Sequence, residues 1–320
     1  MPTMLSEASG IPVKKASQPM KDEPKPFEKH LRATAEKVEH ALKRFTLEKP
    51  PAVPSLLWDG MTYSLLAGGK RVRPFLVLES GRIFGVHEED GMALAVALEM
   101  VHTASLIHDD LPCIDDDVLR RGKPTNHMVF GEGMALLAGD ALLVSGPGQA
   151  MRKLKANGRV PAARILEALQ VILDAAGPAG ICGGQTLDTV ESERSGASPW
   201  RIAYWKTAVL LRACVMAPAY LGDASDMELK CLSSFGAHLG VAFQIVDDIL
   251  DVSGKVEELG KTPGKDALQE KNSFVHRWGL EAAREMAADQ SRRALAALSG
   301  IRRDTTTLEG LVGYLGARSA

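Results

Sequence analysis

Cysteine is scarce and scattered. Cys113, Cys182, Cys214 and Cys231 are the only four in 320 residues, with no CxxC pair among them. That excludes a disulfide scaffold or a thiolate metal knuckle and makes a reducing compartment the simplest reading. Aromatic residues reach only 5%, and strand-like alternation is hard to find. A dominant charge sign is missing too: 38 Lys and Arg stand against 40 Asp and Glu, a net charge of −2. No global basic field therefore draws nucleic acid or an anionic membrane, and any anion site must be local. No uninterrupted apolar run of about 18 residues occurs, so no transmembrane segment is expected. Residues 1–26 lack both the apolar core of a secretory signal and the arginine of a transit peptide. Their mix of Pro, Ser, Lys, Asp and Glu reads as a disordered tail, with a targeting remnant as the alternative. The expected location is cytoplasmic or plastid, not secreted.

What is present reads as helix after helix from Phe27 to the end, one domain over residues 27–320. Hydrophobic residues make up 45% and charged residues 24%, enough for a sizeable core. Phe27, Leu31, Val38, Leu42 and Phe45 fall on one helical face. "EDGMALAVALEMVHTASLIHDDL" is apolar nearly all round, as a central bundle helix should be, and "MELKCLSSFGAHLGVAFQIVDDILDVSG" is its counterpart. The fold class is all-α, a single large helical bundle. One stretch is expected to interrupt or kink its helix. Gly146, Pro147 and Gly148 follow "AGDALL", and an interior Pro costs about 3 kcal/mol and each Gly about 1.

Both central helices end in carboxylates. The first carries Asp109 and Asp110, then Asp115, Asp116 and Asp117; the second carries Gln244, Asp247, Asp248 and Asp251. Asp247 and Asp251, four apart, share a helical face. Pro112 must disturb the first helix, yet a local turn can return Asp115 to Asp109. One acidic pair would usually be a solvated helix end. Two clusters on otherwise apolar helices point to a hard cation such as Mg²⁺, which shares its coordination with substrate phosphates. Local cations supply the other half: Lys70, Arg71 and Arg73 after a Gly-Gly turn, Arg120 and Arg121, Lys206 beside Thr207, then Lys261, Lys265 and Lys271. "GGK" here lacks the spacing of a nucleotide-binding P-loop. Metals, cations and an apolar interior together suit a diphosphate head with a greasy tail.

The series "GGKRVRP", "HDDLPCIDDDVLRRGKPTNH", "AGDALL", "GGQTLD", "KTAVL", "QIVDDILD" and "GKTPGKD" resembles the trans-isoprenyl diphosphate synthases, most of all the geranylgeranyl diphosphate synthases. The resemblance runs from Phe27 to the C-terminus. It implies the isoprenoid-synthase bundle with a central active-site cavity, a homodimer, and three Mg²⁺ ions. By that resemblance Asp109 and Asp115 hold two metals and Asp247 the third, while Asp110, Gln185, Asp188, Asp248 and Asp251 orient ligands and waters around them. Arg120, Lys206, Thr207, Gln244 and Lys261 face an allylic diphosphate (dimethylallyl, geranyl or farnesyl). Lys70, Arg73, His102 and Arg121 grip isopentenyl diphosphate, with Lys271 a further contact, although "KNSFV" departs from the family pattern there.

The implied reaction is ionisation of the allylic diphosphate, attack by the isopentenyl double bond and loss of a proton. Asp109, Asp115, Arg120, Lys206, Asp247 and Lys261 would carry the ionisation. The growing tail should descend along the helix bearing Asp109. Ser105 and Ala104 sit ~6–7.5 Å below it at ~1.5 Å per residue. Both are small, where farnesyl synthases tend to place an aromatic, so a C20 product is expected, with the floor near Val101 or on a neighbouring helix. The alternatives are a farnesyl product, a C25 or longer product, and a non-catalytic regulatory subunit. The last is disfavoured by two intact aspartate clusters and no CxxxC motif. A terpene cyclase would need no second diphosphate site, and a purely structural bundle would not bury so many ionisable groups.

Overall fold

A computed structural model describes residues 25–189, 197–253 and 273–317. Helices follow one another almost throughout. They are α1 (Pro26–Leu47), α2 (Ser55–Leu65), α3 (Val72–Ile83), α4 (Glu88–Asp109), α5 (Asn126–Phe130), α6 (Glu132–Asn157), α7 (Ala162–Ala176) and α8 (Ile181–Asp188). After α9 (Pro199–Ile202) and a π-helical turn, Ala203–Ala208, come α10 (Val209–Leu221), α11 (Asp226–Ser253), α12 (Phe274–Trp278), α13 (Leu280–Leu298) and α14 (Thr306–Gly316). The all-α bundle expected from the sequence is what forms. One small exception is a two-stranded hairpin, β1 (Leu119–Arg120) paired antiparallel with β2 (Lys123–Pro124).

Helix α4 runs through the middle because its sequence leaves it no wet face: Leu94, Leu98, Met100 and Val101 are fully buried. It packs most extensively on α6, and also on α3, α1, α2 and α10. Helix α11 is the second central element, flanked by α13 and α10. The main core joins α3, α4, α7, α10 and α11 through Phe75, Leu98, Leu169, Val215 and Phe235. A second cluster lies between α1, α2, α4 and α6, with Val38, Trp58, Met100, Ala104, Ile107 and Leu142.

The expected interruption of α6 does not occur: the helix is continuous over 26 residues with Pro147 inside it. The reason is packing. Gly146 faces α4 so closely that a Cβ there would stand 2.8 Å from the Ala97 carbonyl oxygen. Leu142, Ala150 and Leu154 on the same helix are fully buried. That contact offsets the lost backbone bond and the poor propensity, which are local penalties of a few kcal/mol at most.

Uninterrupted apolar runs are lacking, yet helices of membrane-spanning length are present when average composition is the measure. Three helical stretches, Glu88–Asp109, Ala162–Asp188 and Asp226–Ser253, are long and apolar enough to cross a bilayer by length and composition. Much of that apolar surface is used inside the bundle: 67%, 44% and 50% of the respective windows is buried.

Candidate active site

A cavity of about 560 Å³ opens between the C-terminal end of α4 and the C-terminal half of α11. Helix α4 stops at Asp109 because Pro112 cannot continue it. The chain then curls back: the Asp115 N–H donates to the Asp109 carbonyl at 2.9 Å, and the Asp117 N–H to the Asp110 carbonyl at 3.2 Å. Asp116 takes the left-handed region at φ 50, which aspartate tolerates better than most residues. The five aspartates are thereby sorted. Asp109 and Asp115 line the cavity. Asp110 turns away and accepts from Arg120 Nε at 2.7 and 2.9 Å, while Arg120 Nη2 reaches Asp117 at 3.3 Å.

Burial pushes the Asp109 carboxyl above its usual range, and Asp115 and Asp188 push the same way against Lys206 and Arg120. Burial lifts Asp110 to about 6 in spite of its Arg120 bonds. Positive charge beside Asp109 is what favours its ionised form against burial and its acidic neighbours.

The facing wall is built differently. Asp247, Asp248 and Asp251 come from the regular helix α11 and all line the cavity, as does Gln244. A chain of bonds fixes this wall: Thr207 Oγ1 donates to Gln244 Oε1 at 2.6 Å, and Gln244 Nε2 donates to Asp248 Oδ1 at 2.9 Å. The Phe274 N–H completes it, donating to Asp248 Oδ2 at 3.0 Å. Lys206 and Thr207 sit on the π-helical turn, a local irregularity that re-aims side chains and occurs often at functional sites. Helix α8 meets this turn at Gly184, where a Cβ would lie 2.2 Å from the Lys206 amide nitrogen. So close an approach brings Asp188 to Lys206, Nζ to Oδ2 at 2.5 Å. Burial alone would lower the Lys206 pKa, but Asp188, Asp109 and Asp115 together raise it. The ammonium stays charged.

The basic floor depends on two turns that dock on each other. The β1–β2 hairpin turns at Arg121 and Gly122 with φ 53 and 73, the two positive angles of a type I′ turn. Its Arg121 guanidinium donates to the Gly68 carbonyl and lies over Gly69, where a Cβ would meet Arg121 Cζ at 3.0 Å. Gly68 and Gly69 themselves have φ 85 and 133, conformations that suit only glycine. The docking places Lys70, Arg73, His102, Arg120 and Arg121 on one side of the cavity. Arg73 Nη1 donates to His102 Nε2 at 3.1 Å, so that nitrogen is the acceptor and the proton is on Nδ1. Burial, with Arg73, Arg121 and Arg120 nearby, holds His102 well below its ordinary pKa, hence neutral. Arg73 Nε is buried and has no hydrogen-bond partner among the described residues.

Most of the residues singled out in the sequence are thus brought together, but four are not on the cavity wall. Asp110 holds Arg120 instead. Gln185 is absent from the lining, and both its amide atoms are buried without a partner among the described residues. Ala104 belongs to the α4–α6 cluster and Val101 to the main core; of the three chain-length positions only Ser105 lines the cavity. Lys261 and Lys271 lie outside the described residues.

Arg71, counted in the sequence among the anion-holding cations, is committed to the fold instead, and further residues had no role assigned there. Arg71, fully buried and left-handed at φ 50, ties α1, α2 and α4 together. It pairs with Glu39 at 2.6 Å and with Glu99, and it donates to the Leu65 carbonyl at 2.9 Å. Glu99 was the available signal, an acid buried on an otherwise apolar helix. Tyr314 of α14 lines the cavity with Lys70 Nζ 5.9 Å from its ring centre, and Phe274 and Phe243 add apolar wall.

Comparison with known proteins agrees with this geometry. The polyprenyl synthetase family model matches residues 54–308. A chloroplastic geranylgeranyl pyrophosphate synthase of Capsicum annuum is 40% identical over 93% of this chain and 80% of its own. A farnesyl diphosphate synthase of Bacillus subtilis is 41% identical over 83% and 90%. Among solved structures, a Helicobacter pylori geranyltransferase complexed with magnesium and isoprenyl diphosphate is 30% identical. It superposes with a TM-score of 0.76, covering 92% of this chain and 98% of that one. Family match, relatives and site geometry converge: this chain belongs to the polyprenyl synthetase family.

Proposed function

We propose that the protein is a prenyltransferase that condenses isopentenyl diphosphate with allylic diphosphates, using magnesium, and releases geranylgeranyl diphosphate (C20). The observation that carries this reading is one cavity lined by Asp109 and Asp115 on one wall, Asp247 on the other, and a cluster of cations beside them, most of them half-buried. The donor set fits magnesium. It offers hard carboxylate oxygens in ones and twos, and among the described residues no three His, Cys, Asp or Glu converge to hold an ion unaided. Such a site leaves coordination positions for water and a diphosphate. We assign two ions to Asp109 and Asp115 and a third to Asp247.

Bound magnesium would draw charge from the allylic diphosphate as its C–O bond breaks. Lys206, held charged by Asp188, and Arg120, held by Asp110, offer fixed donors to the same leaving group. Thr207 and Gln244 orient it through their shared bond. Lys70, Arg73 and Arg121 hold the second diphosphate, for which the buried Arg73 Nε is an available donor. His102, neutral, accepts from Arg73 and fixes its direction. Ile181, Leu210 and Phe243 on the cavity wall keep water from the allylic cation. Positioning and electrostatics supply most of the rate, since no side chain here stands out as a general base.

The C20 assignment is supported by the geranylgeranyl relatives and by Ser105, a small residue on the cavity wall. A farnesyl product is the second reading, favoured by the Bacillus subtilis relative. We further propose a homodimer formed through α6, whose outer face exposes Leu136, Leu137, Val144 and Met151. Residence in a plastid is supported by the chloroplastic plant relatives.

The deciding experiment offers the purified chain isopentenyl diphosphate, Mg²⁺ and each of dimethylallyl, geranyl and farnesyl diphosphate, then sizes the dephosphorylated products. A dominant C20 alcohol, abolished by EDTA, is the expected result. A C15 or C25 product would keep the chemistry and overturn the length assignment. No condensation with any primer would make the chain a non-catalytic subunit.

A further inference from the structure

Two motif residues have no part in the reaction proposed above, and the fold presses them together. His108 immediately precedes Asp109 at the end of α4, and Gly139 is in α6 within the "AGDALL" stretch. The imidazole lies against the Gly139 backbone: a Cβ there would stand 2.2 Å from Nε2, 2.5 Å from Cδ2 and 3.0 Å from Cε1. Any side chain at 139 would take the place of the ring. His108 Nε2 is 3.2 Å from the Leu136 carbonyl oxygen and 3.5 Å from Asp140 Oδ1. Both neighbours are acceptors, so Nε2 carries the proton and donates.

This contact falls where the first aspartate wall has least support. The last turn of a helix lacks onward backbone bonds, and here Pro112 prevents any continuation. Asp115 is itself hooked to the Asp109 carbonyl. Both cavity carboxylates of this wall therefore hang from the final turn of α4, where Ile107 packs on α6 from the apolar side and His108 supplies the polar tie next to Asp109. We propose that the socket formed by Gly139, the Leu136 carbonyl and Asp140 makes His108 a positioning residue, which sets the direction of Asp109 and Asp115 and thereby the magnesium affinity of that wall. The inference rests on the reading of these two aspartates as metal-holding groups.

The side chain of His108 is 29% exposed, so an evicted ring has open solvent to enter, and alanine is a better helix former than glycine. Gly139→Ala should therefore fold, with a thermal midpoint at or above the parent's, while its Mg²⁺ concentration for half-maximal condensation rises about tenfold. The rate at saturating Mg²⁺ should fall much less. His108→Ala should do the same, and the double variant should be no worse than either single one, because both changes empty one socket. Thermal stabilisation by MgCl₂ with inorganic pyrophosphate gives a second readout and should weaken in step. NMR gives a third, a protected His108 Nε2–H signal that is lost in Gly139→Ala. Mg²⁺ dependence unchanged within about twofold in either variant, or additive effects in the double, would overturn the proposal. Should Gly139→Ala fail to fold, His108→Ala, which only removes atoms, decides alone. A parent chain that makes no product would defeat the function reading instead, and the socket would still be judged by the NMR signal and the pyrophosphate shift.

Discussion

The two aspartate walls of the cavity are built by opposite means. On α11 the carboxylates ride a regular helix, where spacing alone aims Asp247 and Asp251, and a short chain through Thr207, Gln244 and Asp248 steadies them. Beyond α4 there is no helix to do the aiming. A proline-broken turn, two backbone bonds, a left-handed Asp116 and a half-buried Arg120 leave Asp109 and Asp115 facing the cavity and Asp110 and Asp117 holding the cation. The lesson is that a helix positions ligands through its geometry, whereas an irregular turn positions them through counter-charges and backbone bonds. The second arrangement should be the more fragile.

The largest effect tests what the walls share. Asp109→Ala and Asp247→Ala should each lower the condensation rate by about 1,000-fold, the scale of removing an electrostatic stabiliser aimed at the leaving group. Steady-state kinetics at saturating Mg²⁺ would measure this, and near-equal losses would show that neither wall suffices.

The comparison sharpens with stability. Asp110→Asn removes the nearer of the two counter-charges of the half-buried Arg120, leaving Asp117, and should cost about 3 kcal/mol. Glu99→Gln should cost about as much by weakening the buried Arg71 pair. Asp248→Ala leaves one amide donor of Gln244 and the Phe274 N–H without an acceptor and should cost only about 1–2 kcal/mol. Denaturant titration of the three variants would rank the walls. An Asp248→Ala loss matching Asp110→Asn would break the proposed difference.

A smaller effect concerns pH. Because His102 is held below its ordinary 6.5, the unfolded chain takes up its proton first. The contribution from this residue is then fully present above about pH 6.5 and is lost as pH falls below it. The Tm of the parent should therefore drop more steeply from pH 6.5 to 5 than that of His102→Asn. Parallel curves would sink the assignment.

The smallest expected effect is on product rather than rate. Ser105→Phe, on the cavity wall, should shorten the chain toward C15. Ala104→Phe, in the α4–α6 cluster, should cost about 1–3 kcal/mol through overpacking and leave the product length alone. Product sizing and melting curves on the pair would check this.

Much of the site was legible because its chemistry is written in runs: the two aspartate clusters, the paired arginines and the lysine in an apolar helix. The turn that allows Asp115 to return to Asp109 was signalled by Pro112, three residues after Asp109. The misreadings have a common cause. Gly146-Pro147-Gly148 looked like a helix interruption because propensity is local, while the Ala97 contact that rewards a small residue at 146 comes from 49 positions earlier in the chain. Ala104 was placed on the cavity by counting back from Asp109, but a helix turns 100° per residue, and of the two small residues Ser105 lines the cavity while Ala104 does not. The π-helical turn that aims Lys206 leaves no mark in composition at all.

By itself the sequence determined the helical class, the two carboxylate walls and the cations between them, since amphipathic period and residue type act over short range. Only the tertiary structure decided which aspartates face the cavity and which hold Arg120, that Arg71 joins three helices, and that a glycine on α6 seats the histidine beside Asp109. Those outcomes depend on distances between segments far apart in the chain, and they are fixed when helices close on one another and each buried charge must find a partner.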